Sequence, residues 1–338
     1  MTATMKAAVL HDVRDLRVMD TPAPTAGTDG VLVRVRTVGI CGTDLHTYKL
    51  GLFREMSLPV SGGALFGHEF SGDIAAIGPN AQADGFAVGD RVTGIALGAY
   101  AEYCRVGGQF GSKPMMVKLP DAVSYEEAAT IEPLVVSLTA VERANPQPGE
   151  RVLVIGAGMI GLGCVQVLAA LYPRCEVIVC DVSDKRLDMA RQFGAGRCIN
   201  ARSDDLVAAL KQTYGESSVI YNATTSGQLD VVLECAGLPL TLNQALELAR
   251  PGTGRVVGVA LYEERPQVDF NQVVTKNLRI AGTLGYGAAD VERALTLIAE
   301  GRVDRKPLIT HRYPLAHAAQ AFEAQLNTAE TLKAVILP

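Results

Sequence analysis

Residues 151–181, RVLVIGAGMIGLGCVQVLAALYPRCEVIVCD, leave the chain little choice of local fold. An apolar run over 152–155 leads into GAGMIG, which spaces Gly156, Gly158 and Gly161 as G-x-G-x-x-G. A helical pattern follows to Tyr172, Pro173 breaks it, and a second apolar run over 177–180 ends on Asp181. Without these flanks the glycines would mark only a glycine-rich turn. Strand, turn, helix, strand and acid together describe a βαβ unit that binds a dinucleotide. Gly156 permits the tight turn, and Gly158 lets backbone N–H groups approach a pyrophosphate at the helix N-terminus. Gly161 lets helix and strand pack closely. Ile160 lies in the same turn and is assigned to the cofactor with it. Asp181, twenty residues after Gly161, is placed to accept hydrogen bonds from an adenosine ribose. A carboxylate repels a 2′-phosphate, so NAD is expected over NADP. Arg186, five residues on, suits either a ribose or a phosphate.

At 338 residues the chain has room for two domains, each with its own core. Hydrophobic content of 48% with 20% charged residues is that of a soluble globular protein. A net charge of −5 argues against nucleic acid or an anionic membrane surface as partner. Residues 152–173 carry no charge, which superficially suggests a membrane span, but four glycines and the strand–helix parse make a buried βα unit the better reading. No long apolar segment precedes His11 and Asp12, so no secretory signal is expected. Seven cysteines without close C-x-x-C pairs suit a reducing cytosol rather than a disulfide framework. Most fall in apolar runs and read as buried thiols; Cys41 does not.

Ahead of the glycine turn the chain reads as mainly β. Residues 5–36 form short strands between turns, and the alternation in VLVRVRTV (31–38) marks a half-exposed antiparallel strand. Three pieces there carry chemistry. GICGTDLHTY (39–48) places Cys41, Thr43, Asp44 and His46 just after a strand, though a polar loop with one buried thiol explains it alone. FGHEFSGDIAAIG (66–78) sets His68 and Glu69 at the entry to a strand. In EEAATIEPLVVSLTAVERA (126–144), Glu132 interrupts an apolar helical stretch beside Pro133. A buried carboxylate there needs a cation or a hydrogen-bond partner. Thiolate, imidazole and carboxylate are the ligands of a catalytic zinc with one open position.

GICGTDLH, GHEFSG, GDRV, EPL and VIGAGMIG, in this order, resemble the zinc-dependent medium-chain alcohol dehydrogenases. The sorbitol, 2,3-butanediol and threonine dehydrogenase branch is closest, because Glu132 stands where simpler alcohol dehydrogenases carry a cysteine. The resemblance runs from about residue 5 to 338 and includes DRKPLITH. It implies an α/β protein with a GroES-like, mainly β catalytic domain over 1–133 and 284–338. A Rossmann NAD-binding domain with a doubly wound parallel sheet takes 134–283, and the active site lies in the cleft between domains. It further implies one zinc per chain, with Cys41 and His68 as ligands. Glu69 and Glu132 are each either a direct ligand or joined to the metal through water, and both count among the catalytic groups. Thr43 would take the alcohol proton and His46 would pass it to solvent by way of the cofactor ribose. Gly258, Val259 and Leu284 would border the nicotinamide. Self-association as a dimer or tetramer through the cofactor domain is also implied, in a cytoplasmic enzyme acting on a small alcohol/ketone pair.

Two departures refine the expectation. Residues 91–106 carry only Cys104 where relatives have a four-cysteine lobe, so no structural zinc is expected. Gly285 precedes Tyr286 where polyol-specific relatives have arginine, and Thr47 replaces a tyrosine of sorbitol enzymes. The apolar pocket candidates Tyr48, Phe53, Leu97, Leu284 and Tyr286 then favour a small secondary alcohol, 2,3-butanediol or acetoin over a long polyol. Lys333 is read as facing the cofactor phosphates or as a solvated surface lysine. The polar loop 216–228 has no functional reading. The rival readings are a zinc-free quinone or enoyl reductase on the same fold, and a nucleotide-binding protein without turnover.

Overall fold

The computed structural model describes residues 3–83, 85–107, 114–219 and 224–338. The chain divides into two compact units, Met1–Pro133 with Gly287–Pro338, and Leu134–Tyr286.

The first unit opens with strands β1 (Thr4–Asp12), β2 (Asp15–Pro22) and β3 (Val31–Gly39), then helix α1 (Gly42–Leu50). Strands β4 (Leu58–Val60), β5 (Gly63–Leu65), β6 (Glu69–Ile77), β7 (Arg91–Ile95), β8 (Tyr103–Val106) and β9 (Met116–Lys118) follow. The short helix α2 (Tyr125–Ala128) leads to α3 (Ile131–Ala144), whose residues from Leu134 onward belong to the second unit. Pro133 falls in the first turn of α3, where its missing N–H costs no helical bond. The apolar stretch that reads as one helix is therefore two, divided at Ala129–Thr130.

The second unit alternates: β10 (Arg151–Ile155), α4 (Met159–Leu171), β11 (Glu176–Asp181), α5 (Asp184–Gln192), β12 (Arg197–Asn200) and α6 (Leu206–Tyr214). A small antiparallel pair, β13 (Ser217–Ser218) and β14 (Thr225–Ser226), occupies the loop 216–228, of which residues 220–223 lie outside the described residues. Then come β15 (Val231–Glu234), α7 (Pro239–Leu248), β16 (Arg255–Gly258), α8 (Asn271–Lys276) and β17 (Arg279–Gly282). The chain returns to the first unit with α9 (Ala288–Ala299), β18 (Ile309–Pro314), α10 (Ala318–Leu326) and β19 (Lys333–Leu337).

Among the described residues the second unit forms one six-stranded parallel sheet, ordered β12-β11-β10-β15-β16-β17. Strands β10 and β15 are buried along almost their whole length, which is why they read as unbroken apolar runs rather than alternating ones. The order reverses between β10 and β15, and such switch points open a crevice at the carboxyl ends of the strands.

In the first unit, a seven-stranded sheet runs β18-β19-β3-β6-β7-β9, with β8 also paired to β3. Strand β3 buries Val31, Val33 and Val35 while Arg34 and Arg36 face outward, the alternation its sequence shows. Phe322 on α10 lies in the middle of this unit's core, its ring centroid 5.1 Å from Tyr48, 5.4 Å from Phe66 and 5.2 Å from Tyr100. No described helix is long and apolar enough to cross a membrane.

Phe322 is fully buried, so Phe322→Ala is expected to destabilise the first unit by about 3–5 kcal/mol. The check is a shifted denaturant midpoint; an unchanged midpoint would contradict this packing.

Candidate active site

The first unit gathers four metal-binding side chains. Cys41 caps the N-terminus of α1, two residues beyond the end of β3. His68 and Glu69 stand at the start of β6, whose register pairs Glu69 with Gly39. Glu132 lies in the first turn of α3. Their candidate ligand atoms all fall within 4.8 Å of one another. Residues separated by 91 positions in sequence thus present one thiol, one imidazole and two carboxylates to a single point. That donor set suits zinc. Buried Glu69 has its Oε2 against the Lys333 ammonium, while its Oε1 has no hydrogen-bond partner, which fits a group shaped to receive a second cation.

Behind the cluster, Asp44 organises two of its members. Its Oδ2 accepts from the Cys41 backbone N–H at 3.1 Å, and the Tyr100 hydroxyl lies 2.6 Å from the same oxygen. Its Oδ1 faces His68 Nδ1 at 3.6 Å. A carboxylate behind a ligating histidine fixes the ring's orientation and tautomer. Burial pushes the Cys41 thiol up, opposed by His68 and reinforced by Glu69 and Glu132. Burial disfavours the His68 imidazolium, but Asp44 and Cys41 outweigh it and hold the ring well above its ordinary value. Asp44 is itself raised, by burial first.

Lys333 corrects the sequence reading. It faces neither phosphates nor solvent: its side chain is 3% exposed and ion-paired with Glu69 Oε2, and its Nζ donates to Ile40 O at 2.8 Å. Strand β3 lies between β6 and β19, so the pair must reach across it. Gly39 makes this possible. A Cβ there would sit 2.3 Å from Glu69 Oε2 and 3.2 Å from Lys333 Cε.

Thr43 Oγ1 is buried without a hydrogen-bond partner. His46 sets its ring edge-on to Phe53, with centroids 6.1 Å apart. Tyr48 is not the pocket wall its sequence position suggests: it is 2% exposed and its hydroxyl donates to Glu323 Oε1 at 2.7 Å. Cys104 is buried within β8.

In the second unit the glycine turn has the geometry its spacing predicts. Gly156 adopts φ +96°, and a Cβ on Gly161 would lie 1.8 Å from Gly156 O. Gly158 caps α4 and faces open space, with nothing within 4 Å of where a side chain would begin. Ile160 follows, half-buried in the first turn of α4. Asp181 Oδ2 accepts from Ala157 N at 2.6 Å and Oδ1 from Ser183 N at 2.9 Å, which ties the acid to the turn. Arg186 is half-buried on α5, and Val259 is half-buried just beyond β16. Leu284 is 89% exposed on this unit.

Asp44 is legible in GTDLH as a polar neighbour but not as the support of His68. Tyr100 and the true place of Lys333 leave no local signal, because both act on residues distant in sequence.

Two family models match the chain: "Alcohol dehydrogenase GroES-like domain" over residues 27–121 and "Zinc-binding dehydrogenase" over residues 160–300. Sorbitol dehydrogenase of Bacillus subtilis (strain 168) is 34% identical, covering 99% of this chain and 97% of its own. The crystal structure of 2R,3R-butanediol dehydrogenase from Bacillus subtilis is 27% identical with a TM-score of 0.82, covering 99% of each chain. An alcohol dehydrogenase from Escherichia coli CFT073, solved with NADH, is 26% identical with a TM-score of 0.83, again over 99% of each chain.

Two outcomes test the metal centre. Gly39→Ala should separate Glu69 from Lys333 and weaken zinc retention by about 10- to 100-fold, read by competition with a chromophoric chelator. Because the metal-free Cys41 thiol and His68 ring both sit above their ordinary values, zinc must displace their protons. Apparent zinc affinity should therefore rise with pH and fall in acid; an affinity flat from about pH 6 to 8 would refute this.

Proposed function

The chain belongs to the zinc-binding alcohol dehydrogenase family, oxidoreductases acting on CH–OH groups, and from that premise we propose an NAD-dependent enzyme that oxidises a small secondary alcohol, vicinal diol or polyol to the ketone. The observation that carries this reading is the convergence of Cys41, His68, Glu69 and Glu132, with donor atoms within 4.8 Å of one another. Thr43 adds a buried hydroxyl with no partner, a group that a positioned proton-transfer step can use.

Cys41, His68, Glu69 and Glu132 would hold one catalytic zinc. When bound, zinc supplies a Lewis acid that lowers the pKa of an alcohol oxygen. Asp44 keeps the His68 ring oriented for that task, and Lys333 offsets part of the negative charge that one thiolate and two carboxylates concentrate there. Thr43 Oγ1 would accept the substrate's hydroxyl proton while giving up its own toward His46, which would pass a proton on to solvent. In the second unit, Gly156, Gly158, Ile160 and Gly161 form the phosphate turn, while Val259 and Leu284 border the nicotinamide. Asp181 accepts from the adenosine ribose and repels a 2′-phosphate, which favours NAD; Arg186 supports the ribose. When bound, the dinucleotide held by these residues would supply a hydride acceptor.

2,3-Butanediol or acetoin is favoured because Phe53 and Leu97 are apolar and Gly285 takes the place of a polyol-binding arginine. The solved 2R,3R-butanediol dehydrogenase is one of the similar chains. A zinc-free quinone or enoyl reductase would have no use for the four-residue cluster, and a non-catalytic nucleotide binder no use for Thr43. Seven free cysteines suit the reducing cytoplasm. Strand β17 ends its sheet with Ile280 43% exposed, and the preceding segment exposes Phe270, the N-cap of α8, and Val274 within it at 63% and 62%. We assign self-association to this edge.

NADH formation from NAD with secondary alcohols, vicinal diols, sugar alcohols and threonine should appear on one class and vanish on chelation. Thr43→Ala should lower kcat by about 10²- to 10⁴-fold while zinc content stays at wild type. Full turnover in Cys41→Ser protein stripped of metal would sink the proposal. Sedimentation of Ile280→Glu as a monomer, against a wild-type oligomer, tests the β17 edge.

A further inference from the structure

Glu234, the last residue of β15, is a carboxylate with no accessible surface. Such a group must be satisfied by a cation or by several donors. Among the described residues its partners are all neutral. Its Oε1 accepts from Ala236 N at 2.9 Å, Gly237 N at 2.9 Å and Thr241 Oγ1 at 2.8 Å. Its Oε2 accepts from the Tyr262 hydroxyl at 2.8 Å. Burial and then this contact raise the Tyr262 hydroxyl above its ordinary value. The main-chain oxygen of Glu234 also accepts from Val259 N at 2.9 Å and Ala260 N at 3.3 Å.

These donors come from the loop after β15, the first turn of α7 and the loop after β16. Both loops lie at the carboxyl ends of the strands, on the far side of β10 from Asp181. The first loop abuts the phosphate turn, since a Cβ on Gly156 would lie 3.0 Å from Ala236 N. The loops also meet each other, with Leu261 O 2.9 Å from where a Gly237 side chain would begin. Beyond the strand ends Gly158 and Gly258 both face open space. A single buried side chain therefore ties together the floor of one half of the crevice.

We propose that Glu234 is a positioning residue for the nicotinamide half of the cofactor. It holds the 235–237 and 259–262 loops in the shape that half requires, while the adenosine half depends on the glycine turn and on Asp181 across β10. This rests on the reading that the second unit binds a nicotinamide dinucleotide. A residue that merely stabilised the sheet would affect both halves alike.

The test is fluorescence titration of the full chain with NADH, alongside calorimetric titration with AMP, which probes the adenosine half alone. Glu234→Ala is expected to weaken NADH binding by at least about 10-fold, with AMP affinity within about 2-fold of wild type. Glu234→Gln keeps the three-donor acceptor and should restore NADH affinity to within about 3-fold. Tyr262→Phe, which removes one donor, should weaken NADH by about 3- to 10-fold and leave AMP unchanged. If Glu234→Ala does not fold, Tyr262→Phe decides: selective loss of NADH supports the assignment, and no loss overturns it. Parallel loss of AMP and NADH, or unaltered NADH binding in Glu234→Ala, also overturns it. A wild-type chain that binds neither NADH nor NADPH would instead overturn the cofactor reading itself.

Discussion

The ion pair between Glu69 and Lys333 is the contact on which the first unit's chemistry depends. Both side chains are at most 3% exposed, and a lone carboxylate at that depth would protonate or turn away. Lys333 holds Glu69 in place, and the strand order β19-β3-β6 brings the two together. The pair needs Gly39 between them, because any side chain there would occupy the space of Glu69 Oε2. A backbone position without a side chain, a strand from the C-terminus and a strand from the first third of the chain thus make one electrostatic unit. The metal-binding cluster is built on it.

The two units solve the problem of a buried carboxylate differently. Glu69 has a cation on Oε2 and no donor on Oε1, which leaves that oxygen able to meet a second cation. Glu234 has four neutral donors and is saturated, which suits it to hold loops and not to bind anything further. Asp44 lies between these cases, shared among a backbone N–H, a tyrosine and a histidine. The chemistry available to each acid follows from how many of its lone pairs the fold has already used.

The parallel sheet was legible almost entirely from sequence. Its apolar runs, its turn glycines and the acid closing β11 are local signals, each set by neighbours within a few residues. The cluster was legible in part. Cys41, His68, Glu69 and Glu132 could be named as candidates, because their residue types and flanking motifs are local. What brings Glu132 to them is the turn at Thr130, which divides one apolar stretch into α2 and α3 and presents Glu132 from the first turn of the second. Tyr48 shows the limit of the local view. Its place beside the GTDLH motif suggested a pocket wall, yet α10 covers it and Glu323 takes its hydroxyl.

By itself, the sequence determined the class of each unit, the glycine turn with its acid, and the residue types available to a metal, since these depend on periodicity and on chemistry carried by short segments. Tertiary structure alone decided that Lys333 neutralises Glu69, that Asp44 and Tyr100 brace the His68 side of the cluster, and that Glu234 ties two loops together. The Glu69–Lys333 contact crosses a strand whose register is set by the whole sheet, and the Asp44–Tyr100 and Glu234–Tyr262 contacts join residues 56 and 28 positions apart. No window along the chain contains both partners of Glu69 and Lys333, which are 264 residues apart.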